Sequence, residues 1–172
     1  MVSKEEINEI LRRYDLGRLS VATIGSHSAL NILRGAKDEG LRAVCICLPR
    51  DEKVYRRFKV ADEIIIVGEY REILRPEVQE RLRELNAIVV PHGSFNAYVG
   101  AERLRDEFAV PLFGNRELLV WESRRDLQAK WLSMAGVKTP KSFDSPESME
   151  GLCIVKLYGC LLYTSPSPRD RG

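Results

Sequence analysis

Five short runs of nearly uninterrupted apolar residues, at 19–24, 42–48, 63–67, 87–90 and 109–113, constrain this chain more than any other feature. They are rich in β-branched residues and short enough to read as strands. A strand that is apolar on both sides must be covered on both faces, as in a parallel sheet packed between helices. The stretches between the runs supply those helices. Ala29, Leu30, Ile32, Leu33 and Ala36 mark one face of a helix that Gly40 closes, and Pro76 opens another that reaches about Asn86. Ahead of the first run, Ser3 and Glu6 form a capping box for a helix carrying Ile7, Ile10 and Leu11. This alternation predicts an α/β fold, a Rossmann-like doubly wound parallel sheet over residues 1–122.

From residue 123 the pattern changes. A helix is predicted over 123–135, then an extended stretch at 137–143, a turn of helix at 146–149 and a strand at 152–157. Residues 123–159 read as the truncated start of a second domain. The last thirteen residues, CLLYTSPSPRDRG at 160–172, follow no structural period and resemble translated library-adapter sequence, so a non-native tail is expected there.

Composition narrows the function classes. Lys and Arg total 27 against 25 Asp and Glu, a net charge of +2 that gives no electrostatic footprint for nucleic acid. No run approaches the ~18 apolar residues of a membrane helix. The N-terminus, MVSKEEINEI, is too charged for a signal peptide. Cys45 and Cys47 share one face of a predicted strand, where packing as small hydrophobes is favoured over a disulfide. A metal site there would need further ligands, and His27 and His92 are the only histidines. The expectation is a cytoplasmic protein without nucleic-acid or membrane partners.

In an open α/β sheet, ligands bind beyond the carboxyl ends of the strands. Three such ends carry small polar residues: GSHS at 25–28, PHGS at 91–94 and GNR at 114–116. Helix N-termini there favour anions, serine hydroxyls add donors, and His or Arg supplies a counter-charge. Any one loop reads equally as a glycine turn with a serine cap. Three loops on one sheet edge favour a phosphorylated small molecule, with His27 the leading residue. Lys130 lies on the helix before Gly136. Lys156 interrupts an apolar strand, where an ammonium needs either a partner or an edge position reaching water. The chain has no GxGxxG after its first strand, no Walker A sequence and no GxSxG elbow, which disfavours dinucleotide dehydrogenases, P-loop enzymes and α/β-hydrolases.

The strings SHSALNILRGAKDEG (26–40), RFKVADEIIIV (57–67), IVVPHGSFNAYVG (88–100) and VPLFGNRELLVWESRRDLQAK (110–130) resemble the archaeal-type formate-dependent FAICAR synthetase family. These are ATP-grasp ligases that formylate aminoimidazole carboxamide ribonucleotide (AICAR) in purine synthesis. The resemblance implies a Rossmann-like pre-ATP-grasp domain followed by the start of an ATP-grasp domain. It implies that His27 and Ser94 contact AICAR, with Ser26, Gly93 and Asn115 beside them, and that Lys130 and Lys156 bind ATP. Formate and ATP would give formyl phosphate, which the AICAR amine attacks, with Mg2+ bridging phosphates. AICAR, formate and ATP are the implied partners, and a homo-oligomer of the full-length enzyme is compatible with this. After Lys156 the family continues with a glycine-rich loop, whereas this chain has Leu157, Tyr158 and Gly159. An N-terminal fragment inactive alone is therefore expected, with no metal ligand or catalytic base assigned. Two other readings remain open: a non-catalytic module holding a nucleotide or sugar phosphate, and an ATP-grasp ligase with another acceptor.

Overall fold

The strand with the most continuous apolar sequence occupies an inner position of the sheet. β2 (Arg42–Cys47) buries five of its six residues between β1 (Ser20–Ile24) and β3 (Glu63–Ile66). β4 (Ala87–Val89) lies beyond β1, and every pairing is parallel, in the order β3-β2-β1-β4. The computed structural model describes residues 1–143 and 145–154. Its helices in chain order are α1 (Lys4–Arg12), α2 (Ala29–Asp38), α3 (Glu52–Phe58), α4 (Pro76–Glu84), α5 (Gly93–Tyr98), α6 (Ala101–Glu107), α7 (Arg116–Ser123) and α8 (Arg125–Met134). Short 3-10 turns cover Leu16–Arg18, Tyr70–Leu74 and Pro146–Ser148. Among the described residues no helix is long and apolar enough to cross a membrane.

The two faces of the sheet explain why β2 has no polar alternation. Val44 and Ile46 join Ala22, Ile24 and Val89 on one face, packed with Leu82 of α4, Phe95 of α5 and Leu104 of α6. Ala43, Cys45 and Cys47 point the other way, against Ala29, Leu33 and Ala36 of α2 and Tyr55 of α3. Both cysteines are free thiols in that second core, as their spacing implies. Helix ends follow their sequence signals. Ser3 Oγ accepts from the Glu6 amide at 3.1 Å, and Pro76 stands in the first turn of α4. Gly40, at φ 73°, ends α2 by donating to Lys37 O while Leu41 donates to Ala36 O, a Schellman closure.

Several expectations change. The fifth apolar run is reduced to one parallel bridge, Val89 to Leu112, because Pro111 has no amide to extend the ladder. The helix expected over 123–135 begins at Arg125, while residues before it form the separate α7. α3 and α6 were not predicted, since seven residues show too little of a helical repeat. Leu152, Cys153 and Ile154 are not in a strand. The rest of that expected strand, Lys156 and the 160–172 tail lie outside the described residues. The chain forms two compact units, Met1–Leu119, which holds the sheet, and Val120–Gly172, whose described part includes α8 and the 3-10 turn.

The connection after α6 shows how irregular backbone is satisfied in the first unit. Buried Gln79 donates to Leu74 O and Glu107 O at 2.7 and 3.2 Å and accepts from the Ala109 amide at 2.6 Å. Arg83 donates to Ala109 O at 2.9 Å. Arg116 donates to Leu104 O at 3.0 Å, Phe108 O at 2.6 Å and also Val110 O. These three side chains substitute for a fifth full strand. Replacing Gln79 with Met leaves two carbonyls and an amide unpaired and should cost about 2–4 kcal/mol, read as a lower urea midpoint.

Candidate functional site

The strand order sets where a ligand site can form. β2 and β3 lie to one side of β1 and β4 to the other, so chain direction around the sheet reverses at the β1–β4 gap. A crevice at the carboxyl end of that gap is the usual ligand position in such sheets. β1 and β4 pair only as far as Val90, whose amide donates to Ala22 O at 2.8 Å. Beyond that point the loops at 25–28 and 91–94 meet at the sheet edge, through Ser94 and Ser26.

The first loop leaves β1 through a position that tolerates no side chain. A Cβ on Gly25 would lie 2.7 Å from both Cys47 Cβ and a ring carbon of Tyr55. The Gly25 amide donates to Ile46 O at 2.7 Å, and its carbonyl accepts from the Tyr70 hydroxyl. Burial raises the Tyr70 hydroxyl well above its ordinary value, so it stays a donor. His27 is exposed on this loop. Ser28 stands at the α2 N-cap without a side-chain capping bond, so the bland reading of that serine as a cap is not met.

The second loop is built around His92. Its Nε2 lies 3.2 Å from Ile24 O, its Nδ1 lies 3.4 Å from the Ser94 amide, and its ring stands edge-on to buried Phe95 at 5.3 Å. A carbonyl can only accept and an amide can only donate, which fixes the ring as neutral with its proton on Nε2. Burial pushes the His92 pKa below its ordinary value, partly opposed by the bond to Ile24, and the nearby His27 lowers it further. Ser94 is 4% exposed, and its hydroxyl donates to Ser26 Oγ at 3.0 Å. Ser26 and Ser94, 68 residues apart, are thus brought into contact.

Other candidates are placed differently. Gly93 is exposed as the first residue of α5. Asn115 is exposed, and its Oδ1 accepts from the Glu117 amide at 2.8 Å, a local turn role. Arg116, expected as a counter-charge for that loop, is spent on three backbone carbonyls. Lys130 is exposed on α8 in the second unit. Among the described residues no three His, Cys, Asp or Glu side chains cluster to hold a metal ion. Two open clefts, of about 480 and 430 Å³, are lined by other residues, the larger by Glu6, Glu9, Arg13, Tyr14, Glu80 and Glu84 among others. The roles of His92 and Tyr70 were not singled out from sequence. The only signal available was a histidine two residues before a serine at a strand end.

The strand order and the helices on both faces define a doubly wound α/β domain of Rossmann type. Residues 21–143 match the family described as "Protein of unknown function (DUF1246)", and the chain belongs to that family. It is 60% identical over 159 residues to the 5-formaminoimidazole-4-carboxamide-1-(beta)-D-ribofuranosyl 5'-monophosphate synthetase of Methanopyrus kandleri, covering 92% of this chain and 44% of that protein. The chain thus spans less than half the length of the curated relatives it matches. Among solved structures it resembles the IMP biosynthesis protein PurP from Thermococcus kodakaraensis, with a TM-score of 0.64, 36% identity and coverage of 76% of this chain and 41% of that one. N5-carboxyaminoimidazole ribonucleotide synthetase from Thermotoga maritima shares the fold at 17% identity, with a TM-score of 0.51 over 75% of this chain and 34% of that one.

Two consequences can be measured. Gly25→Ala should destabilise the chain by about 1–3 kcal/mol in urea unfolding, since Cys47 and Tyr55 must both move. His92 is held below its unfolded pKa, so its neutral form favours folding. That contribution is complete above about pH 6.5 and is lost as pH falls through the lower folded value. The difference in urea midpoint between wild type and His92→Gln should shrink across that window; a difference independent of pH would contradict the assignment.

Proposed function

We propose that this chain supplies the AICAR-holding part of an ATP- and formate-dependent ligase that makes FAICAR in purine synthesis. The contact between Ser26 and Ser94 across the switch-point crevice is the observation that carries this reading. It occurs in a chain 60% identical to a synthetase of that name. Residues 1–122 are read as the pre-ATP-grasp domain and 123–159 as the start of the ATP-grasp domain, in a cytoplasmic enzyme.

The chemistry asked of these residues is recognition and positioning. A serine hydroxyl has one hydrogen and two acceptor lone pairs. With one hydroxyl of the pair donating to the other, one hydroxyl hydrogen remains to meet an acceptor on the ligand. His27, exposed beside the pair on the same loop, adds a donor or a positive charge toward phosphate. Held in this way, the AICAR amine has a fixed direction of attack on an activated formyl group, and positioning of this kind can lower a barrier substantially. ATP supplies the activation of formate. Lys130 is assigned to its binding, together with Lys156 outside the described residues. Mg2+ would bridge the ATP phosphates; among the described residues no His, Cys, Asp or Glu cluster is suited to hold it.

Titration of the chain with AICAR tests the reading. Wild type should bind it, and His27→Ala and Ser94→Ala should each weaken binding by about tenfold, the loss of one charge-assisted or buried hydrogen bond. Binding of an unrelated phosphate ester with no binding of AICAR would assign the crevice to a different ligand.

A further inference from the structure

We infer that His92 is a positioning residue that sets the separation of the two loops holding the ligand, through its Nε2 contact with the Ile24 carbonyl rather than through contact with the ligand. The inference rests on reading those loops as the AICAR site. Its basis is where regular pairing between β1 and β4 stops. The ladder ends with the Val90 amide on Ala22 O at 2.8 Å, and the Thr23 hydroxyl then reaches Val90 O at 2.9 Å. Ile24 O accepts the Ser26 amide at 2.9 Å within its own loop but has no strand partner on the β4 side. His92 Nε2, at 3.2 Å, takes that place, one residue before Gly25 and two before Ser26.

The same ring organises its own loop. Nδ1 accepts from the Ser94 amide, and the edge-on contact with Phe95, which is fully buried, fixes the plane of the imidazole. One rigid side chain therefore ties the backbone ahead of Ser26 to the backbone of Ser94. The 3.0 Å Oγ–Oγ separation follows from that tie, because Ser26 lies two residues beyond Ile24 and donates its amide to Ile24 O, while the Ser94 amide is held by Nδ1 directly. Rigid support of this kind, from a residue behind the contacting groups, governs how well a site is pre-organised.

Substitution can separate the two ends of the ring. Asparagine presents an acceptor near the Nδ1 position, and is a good N-cap, but cannot reach Ile24 O. Glutamine reaches toward the Nε2 position with an amide donor. In the 172-residue chain, His92→Asn should bind AICAR about tenfold more weakly than wild type, equivalent to ~1.4 kcal/mol, whereas His92→Gln should stay within about threefold. A purely structural role would instead make affinity follow the thermal midpoint in both variants. Wild-type affinity in His92→Asn, or equal loss in both, overturns the inference.

Nitrogen-detected NMR of the wild-type histidines gives a second, ligand-free readout. His92 protonated on Nε2 with Nδ1 bare is expected, and the Nδ1–H tautomer overturns the inference even if a variant fails to fold. If wild type binds no AICAR, the functional reading fails separately. The positioning role is then decided by whether the Ser26 and His27 amide resonances move in His92→Asn but not in His92→Gln. Unmoved resonances reject it.

Discussion

The carboxyl end of β1 is the point on which the site geometry depends. Four elements converge on Ile24 and Gly25: β2 through Ile46 O and Cys47, α3 through Tyr55, the 70–74 turn through the Tyr70 hydroxyl, and the post-β4 loop through His92. Only a residue without a side chain fits among them. The glycine is therefore a packing requirement, not a flexible hinge, since its backbone is bonded at both the amide and the carbonyl. Because that point is held so closely, the polar residues that follow leave the sheet in a defined direction.

This arrangement also accounts for the division between the faces of the sheet. The face toward α2 and α3 uses Ala43, Cys45 and Cys47, small side chains that let Tyr55 reach the end of β1. The opposite face uses Val44, Ile46 and the large residues Phe95, Leu104 and Phe108. The Cys45 thiol thus serves shape more than reactivity. The neighbouring Cys47 and burial together push the Cys45 thiol up, so it remains protonated.

Most of the fold could be read from the chain because its signals are local. The runs at 19–24 and 42–48 need cover on both faces whatever surrounds them, and Ser3, Gly40 and Pro76 mark helix ends through their own backbone preferences. The short helices α3 and α6 were missed because one or two buried residues, such as Tyr55 or Ala101 and Leu104, do not make a period. The fifth run failed as a strand for a legible reason, Pro111, whose missing amide outweighed its apolar neighbours. Within the candidate site, the loops were visible and the partnerships were not. Nothing in PHGS says that His92 will reach Ile24 O, 68 residues earlier, and nothing in GNR says that Arg116 will turn inward to three carbonyls. Those outcomes are decided by which backbone carbonyls the sheet leaves without a strand partner.

Arg116 and His92 illustrate one principle with opposite consequences. Each meets carbonyls that the sheet does not pair, yet Arg116 is exhausted by its three partners, while His92 uses one nitrogen for Ile24 O and the other for Ser94. The first closes the connection after α6 and leaves its loop without a charge to offer. The second converts a structural need into the spacing of two serines. Every atom in that second arrangement belongs to the unit Met1–Leu119. The meeting of the two loops is therefore built by the Rossmann-type unit from its own residues, and the residues proposed to bind AICAR can be ordered before anything binds.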